Sequence, residues 1–314
     1  MTLDDRQVLE ELQRRFSTLL PEEYQDRYED LQPVPMGSAG VRYGADGKIA
    51  WDQMWGSFCD LAMAGGPPHK GTLLEPARPH EIEADPTGYA AAVAEICRGI
   101  AMVTDLSPTQ SLSPGWVRME CATRGMAAWL LRAITIENVA VRAEGAFLEL
   151  PAGPAYRLHK EIKNVITVIA KTAHYWVGHT SVMHRQTISD LMAAMTDESP
   201  LIQPIYELET PDAGAREALA GVVADAIQRE TGLTRSPHRY PDWIGVKCGT
   251  VREAVWMVRM LVAVNVLSRR EEDVLFVPIN TGIDADGAIV CSSVALVHRL
   301  QPRGREAPAH RNLA

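Results

Sequence analysis

The sequence has no long apolar run, few cysteines and none of the common catalytic motifs. No stretch approaches the roughly 18 apolar residues of a membrane-spanning helix. The five cysteines are widely spaced and form no Cys-x-x-Cys motif, which predicts neither a disulfide framework nor a zinc site. His-Glu-x-x-His, Gly-x-Ser-x-Gly and P-loop motifs are also absent. We therefore expect a reduced, cytoplasmic protein that uses no metal and no organic cofactor.

Positive charge is also scarce. The chain has 31 Lys and Arg against 40 Asp and Glu, a net charge of −9, whereas nucleic-acid-binding proteins usually present a basic stripe. The only basic cluster lies in residues 299–311, and we predict a flexible tail over residues 301–314. The N-terminus is acidic and helical in pattern, unlike a secretion signal. We therefore expect neither nucleic acid nor a membrane as a partner.

What the sequence does contain is an internal repeat. Residues 114–151 and 241–278 match at a constant offset of 127, with 13 identities in 38 positions, where ordinary composition would give about two or three. Asp85 and Asp212 obey the same offset. The pattern predicts an α/β (α+β) protein made of two homologous halves. Such halves usually pack around a pseudo-twofold axis, which brings two copies of each group into one molecule.

The repeat divides the chain into five predicted segments: a helical N-terminal extension with a hairpin over residues 1–70, a first half over 71–155, connecting helices over 156–199, a second half over 200–300, and the tail. Each half is predicted as β-α-β-α-β-β. In the first half the predicted elements are an extended stretch at 72–83, a helix at 87–104, a strand at 116–121, a helix at 123–137 and two more strands. The second half repeats this order from an extended stretch at 201–209. A long helix at about 156–178 connects the halves, and the Asp-Ala-Asp-Gly sequence at 284–287 predicts a C-terminal hairpin with a final strand.

Two thiols stand at matching points of the repeat. Cys121 and Cys248 each end a predicted strand just before a helix, where the positive end of the helix dipole can lower a thiol pKa. Their Cys-Ala-Thr and Cys-Gly-Thr sequences are similar in spacing to those of cofactor-independent racemases of the aspartate and glutamate type, which use one cysteine from each of two similar halves. The chain lacks the Asn and His neighbours of that family, and the similarity covers only a few residues. It implies a thiol pair that removes and returns a proton.

Strand alternation gives these thiols a second interpretation. In the strand ending at Cys121, the residues Val117, Met119 and Cys121 share one face. Cys248 continues the same kind of apolar face in the second copy. Both thiols would then be small hydrophobic residues of the core.

Arg132 and Arg259 each lie three residues after a Trp on an otherwise apolar helix. A guanidinium in that position needs a carboxylate, a backbone carbonyl or an anionic ligand. Glu137 or Glu144 in the first copy and Glu271 or Glu272 in the second are candidate internal partners. The two arginines are therefore predicted either as internal ion pairs or as contacts to an anionic substrate.

The connecting helix carries a polar stripe next to its apolar face, at four- and three-residue steps. The stripe consists of Lys160, Asn164, Thr167, Lys171 and His174. It is either a solvated face or the lining of a cleft between the halves, in which Lys160 and Asn164 would contact the substrate. His174, His179 and His184 are spaced five residues apart. On one continuous helix they would share no face, so a metal triad would require the helix to break at Gly178.

Residues 65–71 form the sharpest loop signal in the chain. Their glycines permit close backbone approach, and His69 with Lys70 could attract a phosphate or carboxylate. The spacing matches neither a Walker loop nor a dinucleotide fingerprint. This segment is either an anion-binding loop or a plain surface loop.

Together these patterns predict an enzyme that acts on a small carboxylate- or phosphate-bearing metabolite in the cleft between the halves. The predicted chemistry is cofactor-independent acid/base catalysis of the isomerase or lyase kind, with His174 and Lys171 as the acid/base pair. Cys121 and Cys248 are the thiol alternative. The competing hypothesis is a non-enzymatic, pseudo-dimeric binding or assembly protein that presents the repeated Trp and Arg residues. A homo-oligomer is possible in either case.

Overall fold

The computed structural model describes residues 2–26, 28, 41–53, 63, 71–206 and 213–302. The helices are α1 (Leu3–Leu19), α2 (Pro79–Ala84), α3 (Pro86–Val103), α4 (Arg124–Ile136), α5 (Lys163–Gly178), α6 (Val182–Glu198), α7 (Ala213–Thr231), α8 (Val251–Ala263) and α9 (Ala288–Leu300). The strands are β1 (Thr109–Gln110), β2 (Trp116–Glu120), β3 (Arg142–Glu144), β4 (Phe147–Pro151), β5 (Thr234–Arg235), β6 (Trp243–Lys247), β7 (Arg269–Glu271) and β8 (Val274–Pro278). The protein is therefore of the α+β class. Within these ranges no helix has the length and apolarity needed to cross a bilayer.

The strands form two four-stranded antiparallel sheets with the same topology. The first has the order β1-β2-β4-β3 and the second β5-β6-β8-β7. The pairing registers correspond as well: Trp116 lies opposite Pro151, and Trp243 lies opposite Pro278. The short edge strands β1 and β5 were not predicted. The extended stretches expected at 72–83 and 201–209 form no strand within the described residues, where only Leu74 in the first and Ile202 in the second make a parallel bridge. Helix α2 occupies part of 72–83.

The helix starts follow local capping chemistry. Thr123 and Thr250 accept a hydrogen bond from the backbone N–H three residues ahead, and their φ and ψ angles are extended. Asp85 does the same for α3, with Pro86 at the first helical position. Asp212, its counterpart in the repeat, lies outside the described residues.

The helix ends place two asparagines in the left-handed conformation. Asn138 has a φ of 58° and Asn265 a φ of 63°, each two residues after the last residue of α4 or α8. Asn tolerates this conformation better than most residues. The carbonyl of Asn138 accepts from Leu74, and that of Asn265 accepts from Ile202. Each turn thus binds an earlier segment of the same half.

The same asparagines join the two halves. The Asn265 amide oxygen accepts from Arg132 Nη2 at 2.6 Å, and the Asn138 amide oxygen accepts from Arg269 Nη1 at 3.1 Å. Asn138 Nδ2 in turn donates to the Arg270 carbonyl at 2.8 Å. Both asparagines are buried, so each amide replaces water as the partner of a guanidinium from the opposite half.

The C-terminal hairpin and final strand were predicted wrongly. Residues 288–300 form helix α9, whose buried face carries Val290, Val294 and Val297 at helical spacing. Asp284 accepts from the backbone N–H groups of Ile289 and Val290, so the predicted hairpin turn is the start of a helix. Helix α9 packs on α7 and α8, just as α5 packs on α3 and α4. The connecting helix therefore has a counterpart in the second half.

The N-terminal prediction is partly within the described residues. Helix α1 matches the expected helix and packs on α8 and α6. Tyr43 and Ile49 form an antiparallel bridge around the predicted turn, while most of the first strand of that hairpin lies outside the described residues. Residues Trp51–Gln53 of the predicted extension form a 3-10 turn, and most of residues 54–70 are likewise outside the described residues.

Replacing Asn265 with Ala should lower the free energy of unfolding by about 2–4 kcal/mol. The change leaves a buried guanidinium without its amide partner and places a less tolerant residue at positive φ. Asn265→Gly keeps the backbone conformation and removes only the side-chain contacts, so its stability should lie between those of Asn265→Ala and the wild type. Urea denaturation measures all three. An Ala variant within about 0.5 kcal/mol of wild type would contradict the structural role of this contact.

Candidate functional site

Lys171 and Glu137 form a fully buried ion pair. Lys171 Nζ contacts the Glu137 carboxylate, and neither side chain has any exposed surface. Glu137 is the C-cap residue of α4, and Lys171 lies in the middle of α5, so the pair joins these two helices. The expected partner of Arg132 is thus bound to Lys171. In this arrangement Lys171 faces the interior of the first half and not an open cleft.

His174 lies on the surface, one turn beyond Lys171. Its Nε2 is 2.9 Å from His179 Nε2, and His179 Nδ1 is 2.7 Å from a Glu23 carboxylate oxygen. Burial, followed by the nearby His179, lowers the pKa of His174. Helix α5 ends at Gly178, which is what allows these two histidines to meet. His184 lies elsewhere and contacts Gln25 and the Leu20 carbonyl.

The two repeated arginines are buried and have internal partners. Arg132 donates to the Ala128 carbonyl and to Asn265, and burial lowers its pKa to about 10. Arg259 donates to the Tyr28 carbonyl at 3.0 Å, and its guanidinium lies 5.2 Å from the centre of the Tyr28 ring. Both arginines therefore bind inside the protein, as the first of the two predicted alternatives expects. Their partners are an amide and backbone carbonyls and not carboxylates.

The two thiols are core residues of separate halves. Cys121 and Cys248 are buried, and burial raises the pKa of each to about 12. The loss of hydration outweighs any effect of the following helix. At neutral pH both sulfurs are therefore protonated, as the core interpretation of the strand pattern expects.

The remaining predicted contacts are scattered. Lys160 is exposed on a π-helical turn at Leu158–Ile162, and Asn164 is half-buried at the start of α5. His69 and Lys70 lie outside the described residues. The predicted set of Lys160, Asn164, Lys171, His174 and Arg132 does not converge on one pocket among the described ranges.

The outer face of the second sheet, on the side away from α8, carries a buried arginine among aromatic rings. Arg269 on β7 is fully buried, with its guanidinium 4.1 Å from the ring centre of Phe276, 4.5 Å from Tyr240 and 4.9 Å from Trp243. Its Nη1 also donates to Glu271 at 2.7 Å. Trp243 is buried in this cluster, as Trp116 is in the first half, so neither forms an exposed patch.

A cavity of about 270 Å³ opens next to this aromatic cluster. Its polar lining combines one segment of the first half with α7, β5 and the loop between β5 and β6. The charged or titratable lining residues are Arg78, Arg216, Glu217, Arg235, His238, Arg239, Tyr240 and Asp242. Four guanidinium groups therefore face two carboxylates, in a chain whose net charge is −9. We call this cavity the arginine pocket.

The ion pairs of the arginine pocket are unevenly distributed. Arg216 Nη1 contacts the buried Asp242 carboxylate at 2.8 Å, and the second oxygen of that carboxylate accepts from the Tyr206 N–H at 2.8 Å. Glu217 is shared, at 2.7 Å from Arg239 and 3.4 Å from Arg235. Arg78 has no carboxylate within ion-pair distance in the part of the chain that the structure describes.

Aromatic side chains form the inner wall of the pocket. Tyr240 packs edge-on against Phe276, and Trp243 lies beneath it in the sheet. Burial, and then the nearby Glu271 carboxylate, raise the pKa of the Tyr240 hydroxyl to about 12. Tyr240 therefore stays neutral across the physiological range, and its hydroxyl donates a hydrogen bond to Glu271.

The sequence contained a signal for this pocket that the motif search missed. At the offset of 127, residues 235–242 (RSPHRYPD) correspond to residues 108–115 (PTQSLSPG), which carry no charge. Arg216 likewise corresponds to Tyr89, whose hydroxyl accepts from the Gly115 N–H. Asp242 takes the place of Gly115, and both have positive φ. Apart from Arg78, the charged lining of the pocket therefore comes from one copy of the repeat.

Substituting Lys171 with Met should lower the free energy of unfolding by about 3–5 kcal/mol, because it leaves the Glu137 carboxylate buried without its cation. The double variant Lys171→Met/Glu137→Leu removes both charges and should be more stable than the single variant. Lys160→Met, on the exposed turn before α5, is the control. Chemical denaturation of the four proteins measures these differences. A double variant less stable than Lys171→Met would contradict the pairing.

No protein-family model matches the chain, and no curated protein or solved structure matches it at a significant level. Its function is therefore inferred from the chemistry of the arginine pocket and its surroundings.

Proposed function

We propose that this protein binds and acts on a small molecule bearing a carboxylate or phosphate group in the arginine pocket. The observation that carries this proposal is the meeting of four guanidinium groups from separate segments around one cavity. Guanidinium groups form paired, charge-assisted hydrogen bonds with carboxylates and phosphates, and they keep their charge at all physiological pH values. An acidic chain that concentrates four of them at one cavity has a local site for an anion.

We further propose that the two halves are homologous and arose by duplication. The support is the repeat of 13 identities at one offset, together with the matching sheet orders and registers. The left-handed asparagines and threonine caps at equivalent positions add to it. Arg78 comes from the first half and the other arginines from the second, so the ligand would bind where the halves meet.

The proposed chemistry is acid/base catalysis without an organic cofactor, of the isomerase or lyase kind. Among the described lining residues of the arginine pocket, His238 supplies the imidazole, the side chain most often used for proton transfer. The Tyr240 ring lies beside it, with 6.2 Å between the ring centres, and its hydroxyl is bound to Glu271. The acid/base role expected of His174 and Lys171 is assigned here to His238, since it lies beside the arginines.

Binding is tested by titrating sodium sulfate, phosphate and succinate while measuring thermal stability and heats of binding. A ligand of the native state raises the unfolding temperature. Arg78→Gln should weaken binding about ten- to a hundredfold, the loss expected for a charge-assisted hydrogen bond. Arg14→Gln removes an arginine of α1, outside the pocket, and should leave binding unchanged. If the wild type binds none of the three anions at millimolar concentration, the proposed function is wrong.

The catalytic part is tested with an anion that binds, by following deuterium exchange at carbon next to its carboxylate with NMR. Malate and succinate are suitable probes. His238→Asn should reduce exchange about a hundredfold or more while binding is retained, because it removes the proton acceptor and leaves the arginines. Equal exchange in the wild type and the variant, or none above buffer for any bound acid, would contradict catalysis by His238.

A further inference from the structure

The carboxylate of Glu217 occupies the position from which an anionic ligand would contact two of the pocket arginines. It lies 2.7 Å from Arg239 and 3.4 Å from Arg235, and its side chain is 59% exposed. Exposed ion pairs of this kind contribute little to stability, since both partners are well hydrated. The carboxylate of a ligand offers the same chemistry and competes for the same guanidinium groups.

The second carboxylate of the pocket is held differently. Asp242 is 1% exposed and has three fixed interactions: its carboxylate binds Arg216 and the Tyr206 N–H, and its carbonyl accepts from Ile279. It adopts positive φ, at the position where the first half has a glycine. Asp242 is thus part of the wall and orients Arg216, while Glu217 can move away from its partners at small cost.

The net charge of the described lining residues indicates the charge of the ligand that would match the pocket. Glu217 remains attached to α7 beside the cavity when it leaves its partners, so four guanidinium groups and two carboxylates still leave a surplus of two positive charges. Arg78 comes from the first half, whereas Arg216 and Glu217 lie on α7. A ligand with two negative charges balances the surplus, either on one oxyanion group or on two separated carboxylates.

We propose that the arginine pocket selects a dianion and that Glu217 is its internal competitor, which sets the affinity by holding Arg235 and Arg239 until the ligand displaces it. This inference rests on the proposed function. It leads to an unusual expectation for a pocket residue: removing a charged side chain from the site should strengthen binding. Glu217→Gln keeps the size of the side chain and removes its negative charge.

The experiment measures the affinity of sulfate, succinate and acetate for the full chain by calorimetry at constant ionic strength. Sulfate represents a compact dianion, succinate a dicarboxylate and acetate a monoanion. Glu217→Gln should bind the preferred dianion about three- to thirtyfold more tightly than wild type, as expected for the release of two exposed ion pairs. Glu11→Gln makes the same change of net charge on α1, next to Arg14 and Arg15, and should leave affinity unchanged.

The outcomes separate this inference from the proposed function. If the wild type binds a dianion and Glu217→Gln binds it equally or more weakly, the competitor role is wrong and the anion site stands. If Glu11→Gln tightens binding as much as Glu217→Gln, the effect is one of net charge and the competitor role is again wrong.

If acetate binds as tightly as both dianions, the proposed selectivity for a dianion is wrong. If neither the wild type nor Glu217→Gln binds any of the anions, both proposals fail. A preference for sulfate identifies a phosphate-like group, and a preference for succinate identifies a dicarboxylate.

Discussion

The structure depends on two buried contacts between an asparagine amide and an arginine of the opposite half. Arg132 binds Asn265, and Arg269 binds Asn138. Each asparagine also ends a helix in the left-handed conformation, and its carbonyl accepts from an earlier segment of the same half, at Leu74 or Ile202. A single residue therefore joins a helix end, an earlier segment of its own half and the opposite half. A buried guanidinium without partners costs free energy, so these amides stabilise the contact between the halves.

Matching positions on the outer faces of the two sheets make different contacts with arginine. On the first sheet, Glu149 binds both Arg142 and Arg118, so two guanidinium groups share one carboxylate. The equivalent of Glu149 on the second sheet is Phe276, whose ring packs against Arg269 and Tyr240, while Arg269 pairs with Glu271. The charge of Arg269 is therefore neutralised within the sheet, and the positive charge of the arginine pocket comes from residues outside β7 and β8.

Much of the local structure could be predicted from the sequence, because caps and helix ends depend on near neighbours. Asp85 and Asn138 are examples, since one side chain and the backbone a few residues away determine each. The Lys171–Glu137 pair could not be predicted, because the two residues are 34 positions apart in the sequence. Their helices must pack together before the two charges meet. The C-terminal helix was missed because Asp-Ala-Asp-Gly serves a hairpin turn and a helix start equally well. The four- and three-residue spacing of Val290, Val294 and Val297 was the better guide.

The candidate site was missed for a different reason. Identities between the copies of a repeat report mainly shared packing, and most of the repeated Trp, Cys and Arg residues are buried, with Arg142 and Trp256 half-buried. A site built once appears instead as a cluster of chemical differences at equivalent positions. Residues 235–242 replace a neutral segment with two arginines, a histidine, a tyrosine and an aspartate, while the backbone turn at Asp242 keeps the positive φ of Gly115. A non-glycine residue at positive φ costs conformational energy, and here that cost is offset by a carboxylate that orients Arg216 at the pocket. The position is therefore explained by the site it builds and not by the fold, which the glycine serves equally well.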